Sequence, residues 1–441
     1  MSPARREAFR ILHRVETSGA YATYLLTSRR LDRLSLEDRR LTYELVLGVL
    51  RWRLQLDYFI ERYARRRLDK LELPVIIALR LGLYQIRFLE RIPEWAAVNE
   101  SVELVKAHGA KWAASLVNAV LRRACRRKKD VPGQGIADEG ERLSIRFSHP
   151  RWLVEKWIAR FGREETIALM GANNTPPRTA FRTNPWRCSA EAVRAALERD
   201  GIVIEPSAFV PGAYLVKQGV LSNASMVVRR GWVYLQDEAS QLVVRIVEPR
   251  PGALVLDVCA APGGKSSHLA MEMDNRGRIV AGDVHLHRLR LLQRTCQRLG
   301  ATIVYPVALD GTKPLPFLPE VRFDRVLVDA PCSGTGTLRR HPEIKWRLRP
   351  DDLRALANVQ LRLLRSAAPL VASGGFLIYS TCSLEWEENE AVVERFLAEM
   401  PSFTVRRPAL EATLLSDRGF LQTFPHRHGM DGFFAAVFVA P

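Results

Sequence analysis

The chain holds only six cysteines in 441 residues: Cys125, Cys188, Cys259, Cys296, Cys332 and Cys382. They form no CxxC pair and sit in no His/Cys cluster, which excludes a disulfide framework and leaves no metal site to expect. No apolar run reaches the length of a membrane-spanning helix, so no membrane partner is expected. The opening Met-Ser-Pro-Ala-Arg-Arg lacks the apolar stretch of a secretory signal. A cytoplasmic protein is expected. Internal repeats and low-complexity tracts are absent. So are a Walker loop and a G-x-G-x-x-G fingerprint, which removes the common pyrophosphate-binding loops.

Positive charge is abundant. Against 48 Asp+Glu stand 66 Lys+Arg, giving a net charge of +18. Residues 1–129 alone carry 27 Lys+Arg and 14 Asp+Glu, a net +13 in under a third of the chain. The densest clusters are Arg65-Arg66-Arg67, Arg122-Arg123 and Arg126-Arg127-Lys128-Lys129. A single cluster reads equally well as a solvated helical face, but the summed asymmetry favours a nucleic acid partner.

The pattern of apolar residues divides the chain into domains. Over residues 2–125 they recur at helical spacing, as in Ala8, Ile11, Leu12 and Val15, then Leu41, Leu45, Val49 and Trp52. Ser35, followed by Glu37 and Asp38, predicts a helix start, and Leu73-Pro74 opens another. This predicts an all-α bundle over 1–127. Residues 128–142 are polar and glycine-rich, a linker. Residues 143–235 read as a small α/β middle module, with helices near 152–161 and 190–199 and short strands near 178–182, 202–204 and 214–216. From 236 to 441, strands alternate with helices, which specifies a mostly parallel, Rossmann-like sheet wrapped by helices. The last strand, after Asp431-Gly432, is expected to be antiparallel. The fold class is therefore multidomain, and a monomer is expected.

The first strand of the last domain runs into Asp257-Val-Cys-Ala-Ala-Pro-Gly-Gly-Lys265. Small residues and glycines let backbone N–H groups approach a ligand at the start of a helix. A ligand with a carboxylate and a nucleoside but no pyrophosphate suits such a loop, and S-adenosylmethionine is one. Successive strand ends carry Asp283, placed to accept ribose hydroxyls, Asp310, placed to accept from the adenine amine, and Asp329. One such aspartate is an ordinary turn residue; three in series point to a cofactor.

Cys332 in Asp-Ala-Pro-Cys-Ser and Cys382 in Ser-Thr-Cys-Ser also fall at strand ends. A thiolate that adds to carbon 6 of a pyrimidine turns carbon 5 into a nucleophile, after which the carbon 5 proton and the thiol must leave. The residues alone leave open which cysteine attacks. Asp329 is placed to hold the pyrimidine edge. Cys125, Cys188 and Cys296 read as small buried hydrophobes, and Cys259 as loop packing beside the cofactor.

The motifs Asp257–Lys265, Asp329-Ala-Pro-Cys-Ser-Gly-Thr-Gly336, Thr381-Cys382-Ser383 and Asp431-Gly-Phe-Phe434 resemble the RNA 5-methylcytosine methyltransferases of the NSUN/RsmB family. The N-terminal bundle resembles the RNA-binding antiterminator NusB, with Val117-Asn118-Ala119-Val120-Leu121-Arg122 matching its final helix. The fusion is similar to the RsmB/Sun/Fmu-type ribosomal RNA cytosine-5 methyltransferases. The resemblance implies S-adenosylmethionine held by Cys259, Ala260, Ala261, Pro262, Gly263, Gly264, Lys265, Asp283, Asp310 and Asp329. It implies Cys382 as the nucleophile and Cys332 as the residue that assists release, with small-subunit ribosomal RNA as substrate. A rival reading is an RNA assembly factor with a relic methyltransferase domain, and another moves the substrate to transfer RNA. The segment from Arg339 to Trp346 reads as either an RNA contact or a solvated loop. His426-Arg427-His428 reads as a turn, and Glu385, Glu387, Glu388 and Glu390 as the acidic first turn of a helix.

Overall fold

The computed structural model describes residues 1–441, apart from the side chain of Arg29. Its contacts divide the chain into two compact units, Met1–Pro176 with Leu338–Leu348, and Pro177–Thr337 with Arg349–Pro441.

The first unit is helical. Helices Pro3–Ser18, Leu36–Arg51, Arg53–Ala64, Leu73–Phe88, Glu94–Ala107 and Ala114–Arg126 share one apolar core. Their ends follow local chemistry. Ser2 and Ser35 cap their helices by accepting from Arg5 N and Asp38 N, and Pro74 lies in the first turn of the helix it opens. That helix is buried almost all round. A Cβ on Gly48 would stand 2.0 Å from the Tyr84 ring, so only glycine lets these two helices approach. Inside the core Arg80 pairs bidentately with Asp57 at 2.7 and 2.8 Å and with Glu16 at 2.9 Å.

Asp138 caps a further helix, Glu139–Phe147, followed by Arg151–Phe161 and Arg163–Asn173. These three belong to the first unit. Gln55 donates to the Arg146 carbonyl at 2.8 Å and Ser148 Oγ accepts from Leu54 N at 3.0 Å. The segment 143–235 thus gives its helices before Pro176 to this unit and its strands to the other.

The second unit contains two sheets. Strands β1 (Ala180–Thr183), β2 (Val203–Pro206), β3 (Ala213–Gln218) and β4 (Val233–Leu235) form an antiparallel sheet in the order β2-β3-β1-β4. The larger sheet is built from β5 (Leu254–Asp257), β6 (Arg278–Asp283), β7 (Val304–Ala308), β8 (Phe323–Asp329), β9 (Val371–Thr381), β10 (Thr404–Arg406), β11 (Leu421–Gln422) and β12 (Phe434–Val439). Its order is β10-β12-β9-β8-β5-β6-β7, with β11 on β12. Strands β5 to β9 are parallel and β12 is antiparallel to β9, as the sequence predicts. Alternate residues serve opposite faces: Leu327 and Ile378 enter one core, and Val326, Val328, Leu377 and Tyr379 the other. The strand order reverses between β5 and β8, where such sheets open a crevice at their carboxyl ends.

Candidate active site

Strand β5 delivers Asp257 to that crevice, and the loop Val258–Gly263 leads into helix Gly264–Glu272. Gly263 has φ +97°, and a Cβ there would press on Leu292. A Cβ on Gly264 would stand 2.9 Å from the Tyr234 hydroxyl. The loop lines a cavity of about 250 Å³ together with Asp257, Lys265, Asp329, Tyr234–Asp237 and Ser240. Asp257 is fully buried. One of its oxygens accepts from Ser266 Oγ at 2.7 Å, and among the described residues the other has no hydrogen-bond partner. Burial raises its carboxyl to about 7.

Lys265 Nζ lies 2.6 Å from Asp329 Oδ2, and the other Asp329 oxygen accepts from Ser380 Oγ at 2.8 Å. Burial alone would lower the Lys265 ammonium; Asp329 first, then Cys382 and Asp257, together outweigh it and hold the ammonium above its ordinary value. Asp283 and Asp310 stand at strand ends as expected, but outside the walls of this cavity. Asp283 accepts from His285 N at 2.8 Å and pairs with Arg288 at 3.3 Å, while Arg288 donates to the Ala261 carbonyl at 2.7 Å. Asp310 accepts from Thr312 N and Oγ1.

Cys332 and Cys382 meet, with their Sγ atoms 3.4 Å apart. Their loops are fastened together. Gly336 N donates to the Cys382 carbonyl at 2.9 Å, and Gly432 N donates to the Gly336 carbonyl at 2.8 Å. A Cβ on Gly336 would lie 1.9 Å from the Gly432 carbonyl oxygen. Asp431 N donates to Asp237 Oδ1 at 3.1 Å, tying the same turn to the cavity wall. The contact with Cys382, followed by burial, pushes the Cys332 thiol up. Burial likewise pushes the Cys259 and Cys296 thiols up.

Residues 244–439 match the model of the family described as 16S rRNA methyltransferase RsmB/F, residues 2–126 the NusB family, and residues 149–221 a ferredoxin-like domain of RsmF/B-like methyltransferases. A "Probable ribosomal RNA small subunit methyltransferase B" of Bacillus subtilis is 38% identical over 97% of this chain and 96% of its own length. The chain belongs to the RsmB/F family. A ribosomal RNA small subunit methyltransferase B of Pseudomonas putida is 35% identical over 93% of this chain and 92% of its own. Among solved structures, PH0851 superposes with a TM-score of 0.84 at 28% identity, covering 99% of both chains. A methyltransferase homologue from Pyrococcus horikoshii reaches 0.60 at 27% identity over 69% of this chain and all of its own. RsmB/F enzymes are S-adenosylmethionine-dependent RNA methyltransferases.

Two readings of the RsmB/F chain change in the structure, and one wall of the cavity was not read at all. The acids after Cys382 do not form one helical turn: Trp386–Glu388 is a 3₁₀ turn, and the helix begins at Glu390. Glu388 is fully buried and accepts from Ser333 N at 2.8 Å, Ser333 Oγ, Ser383 Oγ at 2.6 Å and Gln360 Nε2 at 3.0 Å, while burial pushes its carboxyl up. The segment Leu338–Leu348 packs within the helical unit and is not a solvated loop. Lys345 is buried there, donating to the carbonyls of Arg51 at 2.9 Å and Ser148 at 2.7 Å, and Trp346 Nε1 donates to the Leu50 carbonyl at 2.7 Å. The wall formed by Tyr234–Asp237 carries no motif; its one sequence signal is Asp237, which caps helix Glu238–Val247.

Proposed function

We propose that this protein methylates carbon 5 of a cytosine in small-subunit (16S) ribosomal RNA through a covalent cysteine–cytosine intermediate. The 3.4 Å approach of the Cys332 and Cys382 sulfurs, beside the Lys265–Asp329 pair, carries the proposal. Carbons 5 and 6 are bonded neighbours, so chemistry at both requires two groups in one site.

Cys382 attacks carbon 6 and Cys332 serves the release of the methylated base. This division follows the family resemblance. The 3.4 Å contact allows it, because either sulfur can donate to the other. Asp329 and Lys265 hold the pyrimidine edge and assist its protonation as the ring accepts electrons.

S-adenosylmethionine, when bound, supplies an electrophilic methyl group on a sulfonium. The orphaned oxygen of Asp257 and the glycine-walled loop fit such a ligand. Residues Cys259–Lys265 would cradle it with Asp329 alongside. Asp283 and Asp310, outside the cavity walls, would turn their spare acceptor lone pairs to the ribose hydroxyls and the adenine amine. The target cytosine must sit in a loop or leave its stack to expose carbon 6. The basic helical bundle of residues 1–127 supplies salt-dependent RNA affinity.

The test pairs two variants. Cys382→Ala abolishes methylation, and Cys332→Ala accumulates an RNA–protein adduct that survives denaturing electrophoresis. Swapped phenotypes overturn the roles, and retained methylation in Cys382→Ala overturns the covalent mechanism. Bisulfite sequencing of small-subunit RNA from cells with and without the protein locates the cytosine.

A further inference from the structure

We propose that the buried Glu388–Gln360 pair positions Cys332, and through it governs release of the methylated base more than the attack on it. The proposal rests on the role given to Cys332 above.

Cys332 sits in a loop beyond the end of β8, where no strand ladder fixes it. The two peptide groups flanking it are fixed by one pair of side chains. Gln360, on helix Pro350–Ala367, donates its Nε2 to the Pro331 carbonyl and to Glu388 Oε1, each at 3.0 Å. The same Glu388 oxygen accepts from Ser333 N at 2.8 Å. The carbonyl before the cysteine and the amide after it are therefore referred to one buried carboxylate.

Tyr379 ties the pair together, its one hydroxyl proton shared between Gln360 Oε1 at 3.0 Å and the Glu388 carbonyl. Both side chains are fully buried, and neither lines the cofactor cavity. They are positioning residues. Glu388 also accepts from the Ser383 hydroxyl at 2.6 Å, but the peptide groups of Cys382 have support of their own, because β9 is paired on both sides up to its neighbours Ser380 and Thr381, and Gly336 N holds the Cys382 carbonyl at 2.9 Å. Loss of the pair consequently releases Cys332 first.

The approach of the two thiols is measurable without any methylation. Diamide accepts two electrons and two protons as a Cys332–Cys382 disulfide forms, and mass spectrometry follows the bond. In full-length protein, Glu388→Ala and Gln360→Ala are expected to slow this oxidation about tenfold or more. Glu388→Gln keeps an acceptor for Ser333 N and slows it less. With RNA and S-adenosylmethionine, the alanine variants accumulate covalent adduct as Cys332→Ala does, while single-turnover methyl transfer stays within about threefold of the parent.

Oxidation at the parental rate in folded Glu388→Ala overturns the proposal, as does slowed methyl transfer without adduct. If Cys332→Ala itself forms no adduct, the release role fails, and slowed oxidation still establishes the positioning. Should Glu388→Ala not fold, Gln360→Ala and Glu388→Gln decide the same comparison.

Discussion

Lys265 Nζ stands 2.6 Å from Asp329 Oδ2, and Ser380 Oγ, two residues before Cys382, holds the other Asp329 oxygen. The cofactor loop, the Pro-Cys strand and the Thr-Cys strand therefore meet at one carboxylate. Asp329→Ala strands a buried ammonium, a change that costs about 3–5 kcal/mol when one partner of a buried pair is removed. Denaturant unfolding and methyl incorporation should fall together, and Asp329→Ala combined with Lys265→Met should recover stability without recovering activity.

Asp257 makes stability depend on pH. Its carboxyl is raised to about 7 in the folded chain, from 3.8, by burial. Between those values the folded state holds a proton that the unfolded state has lost, so this group's contribution declines as pH rises from about 4 to 7. Buried His268, lowered to about 4 by burial, acts in the opposite sense over pH 4 to 6.5. Asp257→Asn removes only the declining part. Relative to the parent, the variant should gain about 2–3 kcal/mol between pH 5 and pH 7, at about 1.4 kcal/mol per pH unit. Urea melts across that range check the sign.

Gly336→Ala should disable the site while leaving the rest of the fold. The added carbon would meet the Gly432 carbonyl oxygen at 1.9 Å, and no flexible side chain is there to yield. The loops bearing Cys332 and Asp431 must then part. Methyl incorporation is expected to drop about 100-fold, the scale for displacing a reacting group by about 1 Å, with far-ultraviolet dichroism unchanged.

Lys345→Ala removes the donor for the carbonyls of Arg51 and Ser148 and leaves a cavity. Destabilisation of about 3–5 kcal/mol is expected from the unpaired acceptors and lost packing together. Thermal unfolding of the full-length variant measures it.

Much of the larger sheet was legible because its strands alternate between two cores, so that Val326, Leu327 and Val328 must point to opposite faces in turn. The cofactor loop and the two cysteine motifs were legible because their chemistry is local. Glu388 was not. An acidic run after a strand is the ordinary signal of a helix start, and only the serines at 333 and 383 reveal a different use. Lys345 and Trp346 misled for a related reason. Charge and aromaticity suggest exposure, whereas backbone carbonyls distant in sequence satisfy both side chains. The wall at Tyr234–Asp237 escaped because it offers shape and hydrogen-bond geometry with no distinctive residue spacing.

The eleven residues Leu338–Leu348 leave the sheet-bearing unit just after the Cys332 loop, join the helical unit, and return at Arg349. A single linker could be cut and each half kept whole, but here the chain crosses the boundary three times. Dividing the protein at Pro176 would take from this detour the carbonyls that receive Lys345 and Trp346. A chain without the helical half would leave Lys345 and Trp346, in the stretch following the Pro-Cys motif, without the carbonyls that receive them. Shuffling of these modules is constrained at the place nearest the chemistry.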